Sequence, residues 1–227
     1  MASPILITGA RVHLRHPVPE DAPAFIALRE RNLGFHAPWE PAPEDLSGVT
    51  GSTVQARTPA DDFRRFLDDS SGDTNQRHLI CDRATGEMVG QVSLGQIFRG
   101  PLCSAYMGYW ADERHTRRGL MRDGVRLCIR RAFEQLGLHR VEANIIPRNT
   151  RSRQLARACG LRLEGFSPRY LRIAGRWEDH ERWALTREAW ERVESEICSG
   201  SESKSGEGGS NSGRAAMERS GYIRFNK

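Results

Sequence analysis

Met107-Gly-Tyr-Trp-Ala-Asp-Glu-Arg-His-Thr-Arg-Arg-Gly-Leu-Met-Arg-Asp-Gly-Val-Arg-Leu-Cys-Ile129 reads as a strand, a short basic loop and a helix. Ala105 to Trp110 is short, apolar and aromatic, which suits a buried strand. Leu120, Val125, Leu127, Cys128 and Ile129, followed by Ala132, Phe133 and Leu136, recur at helical spacing and predict an amphipathic helix over 118–136. A helix start carries unpaired N–H groups and the positive end of the dipole. Gly119 lets a ligand approach that backbone without a side chain in the way. Arg114, Arg117, Arg118 and Arg122 crowd the same end, where cations are unfavourable unless an anion sits among them. The loop therefore reads as a diphosphate site. A solvated basic turn before an ordinary helix is the alternative. The run is neither a Walker loop nor a dinucleotide fingerprint, because both lack the required glycine spacing here.

Six segments, in one order, resemble the GNAT acyltransferases, and within them the ribosomal-protein alanine N-acetyltransferases of the RimJ and RimL type. They are Ala37-Pro38-Trp39-Glu40-Pro41, Met107-Gly108-Tyr109 with Arg118-Gly119-Leu120-Met121, Leu138 to Asn144, Pro147-x-Asn149-x-x-Ser152, Gly160-Leu161-x-x-Glu164-Gly165, and Gly175-x-Trp177-x-Asp179-His180. The likeness runs from about Arg11 to Trp190. It implies an α/β fold with a mixed central sheet of about seven strands and helices on both faces, the fourth and fifth strands splayed to admit a pantetheine arm. It implies acetyl-CoA as cosubstrate and no metal. Cofactor contacts fall on Met107, Gly108, Tyr109, Thr116, Arg117, Arg118, Gly119, Leu120, Met121, Asn144, Asn149 and Ser152. The family's usual loop, Gln/Arg-x-x-Gly-x-Gly/Ala, carries Thr116 and Met121 at its outer positions here.

The bulk properties agree with such a protein and decide little alone. The 227 residues suffice for one domain with a real core, expected over 1–198. Ser199 to Gly213 is Ser/Gly-rich, so 199–227 reads as a disordered tail. No apolar run approaches the ~18 residues of a membrane span, and the N-terminus has no secretory pattern, so a cytoplasmic setting is expected. The net charge of +5 suits an anionic ligand or a ribosomal setting. Five scattered cysteines form no Cys-x-x-Cys pair and read as reduced core thiols. No aromatic-rich basic strand supports direct RNA readout.

Along the chain, a first strand is expected over 5–14, a helix to about Asn32, and a proline-rich loop over 35–43. A helix over 55–69 and a hairpin of 77–81 with 88–98 follow. After the opening motif come a strand at 140–146, a helix to about Cys159, a hairpin of 161–173 with 177–185, and a last helix to about Ile197. This order predicts a mixed sheet covered on both faces.

Acyl transfer from a thioester to an amine needs a neutral amine, a stabilised oxyanion and a proton for the thiolate. Ser152 is the candidate acid, because the resemblance places a serine here near the cofactor sulfur; a first-turn helix residue is the bland alternative. Glu164, beside Leu161 and Leu163, and Glu40, between Trp39 and Pro41, are the candidate general bases. Either could equally be an ion-paired or loop-holding carboxylate. Trp39, Glu40 and Asp179 are the candidate acceptor contacts, with a structural Asp–Arg pair as the alternative for Asp179. The implied acceptor is a protein α-amine, a ribosomal-protein alanine above all. Transfer would proceed by direct attack in a ternary complex, with monomer and homodimer both open. Two rivals stand beside this reading: a small amine, aminoacyl compound or antibiotic as acceptor, and a non-catalytic ribosome-docking module.

Overall fold

The computed structural model describes residues 4–42 and 58–202. The expected first strand is two: β1 (Ile5–Thr8) and β2 (Val12–Arg15). The Gly9 N–H donates to the Val12 carbonyl at 2.9 Å and closes a tight turn between them. A 3-10 turn at Pro19–Asp21 then leads into α1 (Ala22–Arg31). The proline-rich stretch is not simply a loop. Its first part forms the short α2 (Leu33–His36) and a 3-10 turn at Ala37–Trp39, since Pro38 carries a φ suited to a first helical turn.

Thr58 accepts a hydrogen bond from the Asp61 N–H and caps α3 (Pro59–Asp68). The expected residues 55–57 of that helix lie outside the described residues. The meander is β3 (Gln76–Asp82), β4 (Met88–Phe98) and β5 (Ser104–Ala111). Then follow α4 (Leu120–Glu134), β6 (Arg140–Ile145), α5 (Thr150–Ala158), β7 (Arg162–Ile173), β8 (Arg176–Thr186) and α6 (Arg187–Glu202). The last helix passes Ile197, so residues 199–202 of the expected tail are helical; residues 203–227 lie outside the described residues. One compact unit ends at Glu191 and a second begins at Arg192. Among the described residues no helix is long and apolar enough to cross a membrane.

The sheet has eight strands in the order β1-β2-β3-β4-β5-β6-β8-β7, one more than expected because the first strand folds back. Among the described residues only β5 and β6 pair in parallel. Alternation along β3 sends Leu79 and Cys81 to one face and Ile80 to the other. On the first face they meet Phe25 and Leu28 of α1 with Phe63 and Phe66 of α3. On the second, Ile80 joins Val125, Cys128 and Ile129 of α4. A strand covered on both sides in this way is buried almost throughout, with its three apolar residues at the centre. Each of these fully buried side chains contributes roughly 1.5–3 kcal/mol. Cys81, Cys128 and Cys159 are buried free thiols within these layers.

Close approach of α4 to β3 depends on Gly124. A Cβ there would meet three carbons of Ile80 at 2.6–2.9 Å. Gly124→Ala is expected to destabilise the fold by about 1–3 kcal/mol through overpacking, although alanine is the better helix former. Denaturant unfolding measures this, and an unchanged midpoint would show that Ile80 moves aside freely.

The parallel pairing of β5 with β6 covers only Ser104 to Tyr106 against Arg140 to Glu142. Beyond it, β5 continues to Ala111 and β6 to Ile145 without pairing to each other. This is the expected splay, and it positions the site.

Candidate active site

A cleft of about 1230 Å³ opens at the diverging ends of these two strands. Its lining draws on Trp39 and Glu40, the end of β5, the basic loop, and the start of α5. The loop backbone alternates in hand: Arg117 has φ +62° and Gly119, the cap of α4, φ +75°. Such alternation turns successive N–H groups to one side. The Thr116 N–H is taken by the Glu113 carbonyl and that of Asp123 by the Gly119 carbonyl. Between them, among the described residues, no protein acceptor meets the N–H groups of 117–122. That is the cradle a diphosphate needs.

Gly119 lines the cleft and also makes room for Arg11. A Cβ there would lie 2.7 Å from Nη2 of Arg11, and the left-handed backbone strains any branched residue. Arg11, delivered by the β1–β2 turn, donates to the Arg118 carbonyl and pairs with Asp123, both at 2.8 Å. Arg118 leans toward Asp82 at 3.6 Å. The arginines around the loop are thus partly balanced by carboxylates.

Ser152 lies on the opposite side of the cleft, in the first turn of α5. Asn149 caps that helix, its side-chain oxygen accepting the Ser152 N–H at 3.1 Å. The Ser152 hydroxyl is 2.9 Å from the hydroxyl of Tyr109 on β5. Burial pushes the Tyr109 phenol up to about 12, against the opposing pull of Ser152.

A family model described as an acetyltransferase (GNAT) domain matches residues 11–162. This chain belongs to the GNAT acetyltransferases. Over 181 residues it is 42% identical to the Bacillus subtilis protein named "Probable N-acetyltransferase YjcK", covering 79% of this chain and 96% of that one. It is 29% identical over 194 residues to the Escherichia coli ribosomal protein uS5 alanine N-acetyltransferase, covering 82% and 93%. Among solved structures, Mycobacterium smegmatis RimJ in complex with CoA-disulfide superposes with a TM-score of 0.69 at 29% identity, over 83% of this chain and 89% of that chain. The chain is accordingly a GNAT N-acetyltransferase.

In this GNAT enzyme the candidate carboxylates have unequal positions. Glu40 lines the cleft but gives both oxygens to Arg29, at 2.9 and 2.7 Å. Arg29 is buried, lies over the Trp110 ring, and also meets Nδ1 of His36 at 2.9 Å. A guanidinium only donates, so His36 Nδ1 accepts and its Nε2–H donates to the Ala111 carbonyl at 2.8 Å. His36 is a neutral strut, and burial lowers its pKa accordingly. The Glu40 carbonyl accepts from Ala174 at the β7–β8 turn. Arg148 stacks on Trp39 and bonds Glu178, joining the start of β8 to the cleft wall.

Glu164 is not in the cleft lining. It stands exposed on β7 in a two-pronged pair with Arg140, whose hydrogen bonds lower its pKa. A carboxylate held ionised away from the cleft is a poor base, which corrects the expectation for this residue. Asp179 also faces elsewhere: its Oδ1 accepts the N–H of Arg169, a residue at φ +48° in the β7 bulge. It is a bulge clamp. Asn144 pairs across to Arg182 on β8 and is likewise absent from the lining. Met107 and Leu120 are core residues, and Gly108 accepts from Ser93 through its carbonyl. Thr116, Arg117, Gly119 and Met121 do reach the cleft.

Residues without a local signal complete the site. Asp112, fully buried at the end of β5, accepts from Arg31 at 2.6 Å, Asn32 at 2.9 Å and His115 Nδ1 at 3.0 Å. Asn32 in turn accepts the Glu113 N–H at 2.9 Å. This network fastens the basic loop to α1.

Proposed function

We propose that this enzyme moves an acetyl group from acetyl-CoA to the α-amino group of a protein N-terminus, with a ribosomal-protein alanine as acceptor. The observation that carries the chemistry is the Ser152 hydroxyl on one wall of the cleft, facing a run of free N–H groups on the other. Similarity to ribosomal-protein alanine acetyltransferases supports the acceptor class.

The residues present fit the cosubstrate. The N–H groups of 117–122 suit its diphosphate, and the unpaired edges of β5 and β6 suit the amides of its pantetheine arm. When bound, acetyl-CoA supplies the activated acyl group. Ser152 holds a proton at Oγ toward the departing sulfur. Glu40, oriented by Arg29, and Trp39 form the acceptor end, where the carboxylate holds the incoming amine in place. An α-amine titrates near ~8 and a lysine amine near ~10.4, so the former is available near neutral pH without a strong base. Water suffices to take the proton, in keeping with a cleft whose nearest carboxylate is already engaged by arginine. An acceptor on a ribosomal protein places this work in the cytoplasm.

The direct test compares protein N-termini by mass spectrometry in cells with and without the enzyme. Loss of acetylation at one or a few alanine termini is expected; unchanged termini, with altered acetylation of small amines instead, would overturn the acceptor assignment. A second test concerns Glu164. Glu164→Gln is expected to leave kcat and KM within about a factor of two, as for an exposed ion pair. A loss of pH dependence in that variant would restore Glu164 as the base.

A further inference from the structure

We propose that Tyr109 is a positioning residue for the chemical step, acting as hydrogen-bond donor to Ser152 Oγ so that the Ser152 proton turns into the cleft. This rests on the reading of Ser152 as the proton donor. The Tyr109 hydroxyl has two partners on one residue: Ser152 Oγ at 2.9 Å and the Ser152 carbonyl at 3.2 Å. Each hydroxyl carries one proton, so two arrangements are available. In the first, Ser152 donates to Tyr109 and Tyr109 donates to the Ser152 carbonyl; both protons are satisfied, and none points to the cleft. In the second, Tyr109 donates to Ser152 Oγ, and the Ser152 proton is free for the sulfur.

The two arrangements differ only by hydroxyl rotation, with the heavy atoms fixed. Charge developing on sulfur favours the second, so the donor is aligned as the charge appears. Asn149 fixes the serine backbone and β5 fixes the tyrosine, which leaves the rotation as the only freedom. Tyr109 comes from the strand on one side of the splay and Ser152 from the helix following the strand on the other. The pair therefore exists only when the gap has its proper width. A phenol pushed up to about 12 remains protonated, and so remains a donor, throughout the physiological range.

The experiment follows thiol release from acetyl-CoA, with an alanine-terminated peptide and with water alone, in wild type, Tyr109→Phe, Ser152→Ala and the double variant. CoA affinity by calorimetry and the unfolding midpoint serve as controls. Tyr109→Phe should lower kcat by about tenfold with CoA affinity retained, and the double variant should be no slower than Ser152→Ala. Multiplying effects in the double variant, or a Tyr109→Phe rate within about twofold of wild type, would overturn the inference while leaving Ser152 as the acid. A full rate in Ser152→Ala would remove both. A peptide that fails to speed wild-type thiol release would reject only the acceptor assignment, because the variants are still compared in the water reaction. Fluorinated tyrosine at 109 retains ring and hydroxyl and guards against a folding artefact. Its more acidic phenol should bring an alkaline fall in kcat to lower pH; an unshifted profile would count against Tyr109.

Discussion

Ser152→Ala is expected to lower kcat by about 10²-fold or more while leaving the Kd for acetyl-CoA unchanged. The hydroxyl acts on charge that exists only as the carbon–sulfur bond breaks, so its removal weakens the transition state and not the ground state. The diphosphate contacts assigned to the 117–122 backbone are untouched by the change. Alanine also retains the helix, because the cap is the Asn149 side chain accepting the backbone N–H at 152. Steady-state kinetics with calorimetric CoA binding measures both quantities. A parallel loss of affinity and rate would make Ser152 a binding residue, and an unchanged kcat would make it only a first-turn helix residue.

Asp112→Ala should destabilise the protein by about 3 kcal/mol, the lower end for breaking a buried ion pair, since Arg31 keeps some access to water. For a chain of this size that lowers Tm by roughly 6–12 °C. Burial opposes ionisation of Asp112, but hydrogen bonds from Arg31, Asn32 and His115 outweigh it and hold the carboxyl far below its usual range. A group with a depressed folded pKa contributes stability that is fully present above its unfolded value, ~3.9, and is lost as pH falls below that toward the folded value. Acid unfolding of Asp112→Asn should therefore be shallower than that of wild type. Because the network fastens the basic loop to α1, CoA affinity should fall in the same variants. Unchanged stability in Asp112→Ala would show that Arg31 and His115 find other partners.

Local pattern made much of this protein legible. Short runs bounded by turn residues marked β3 to β5, alternation marked β6, and period 3.6 marked α4, because such patterns depend on which faces of an element are buried. The glycine and arginines before α4 marked a candidate phosphate loop, because a helix N-terminus carries its unpaired N–H groups wherever it lies. The hairpin at Gly9 escaped notice, as did the helical turns around Pro38, because a three-residue turn has almost no periodicity of its own.

By itself, then, the sequence determined a mixed sheet with helices on both faces and an arginine-crowded, glycine-capped helix start, and it singled out Ser152 as a candidate. Only the tertiary structure decided which carboxylates face the cleft. Glu164 and Glu40 look alike as residues beside apolar neighbours, yet one pairs with Arg140 outside the cleft and the other with Arg29 on its wall. The same holds for Arg11 against Arg118, for Asp112 against Arg31, and for Tyr109 against Ser152. Glu40 and Arg29 lie 11 residues apart and the other partners 24 to 107, and packing of the whole fold brings each pair together. Register is set by the packing of whole faces, which no single stretch of sequence contains.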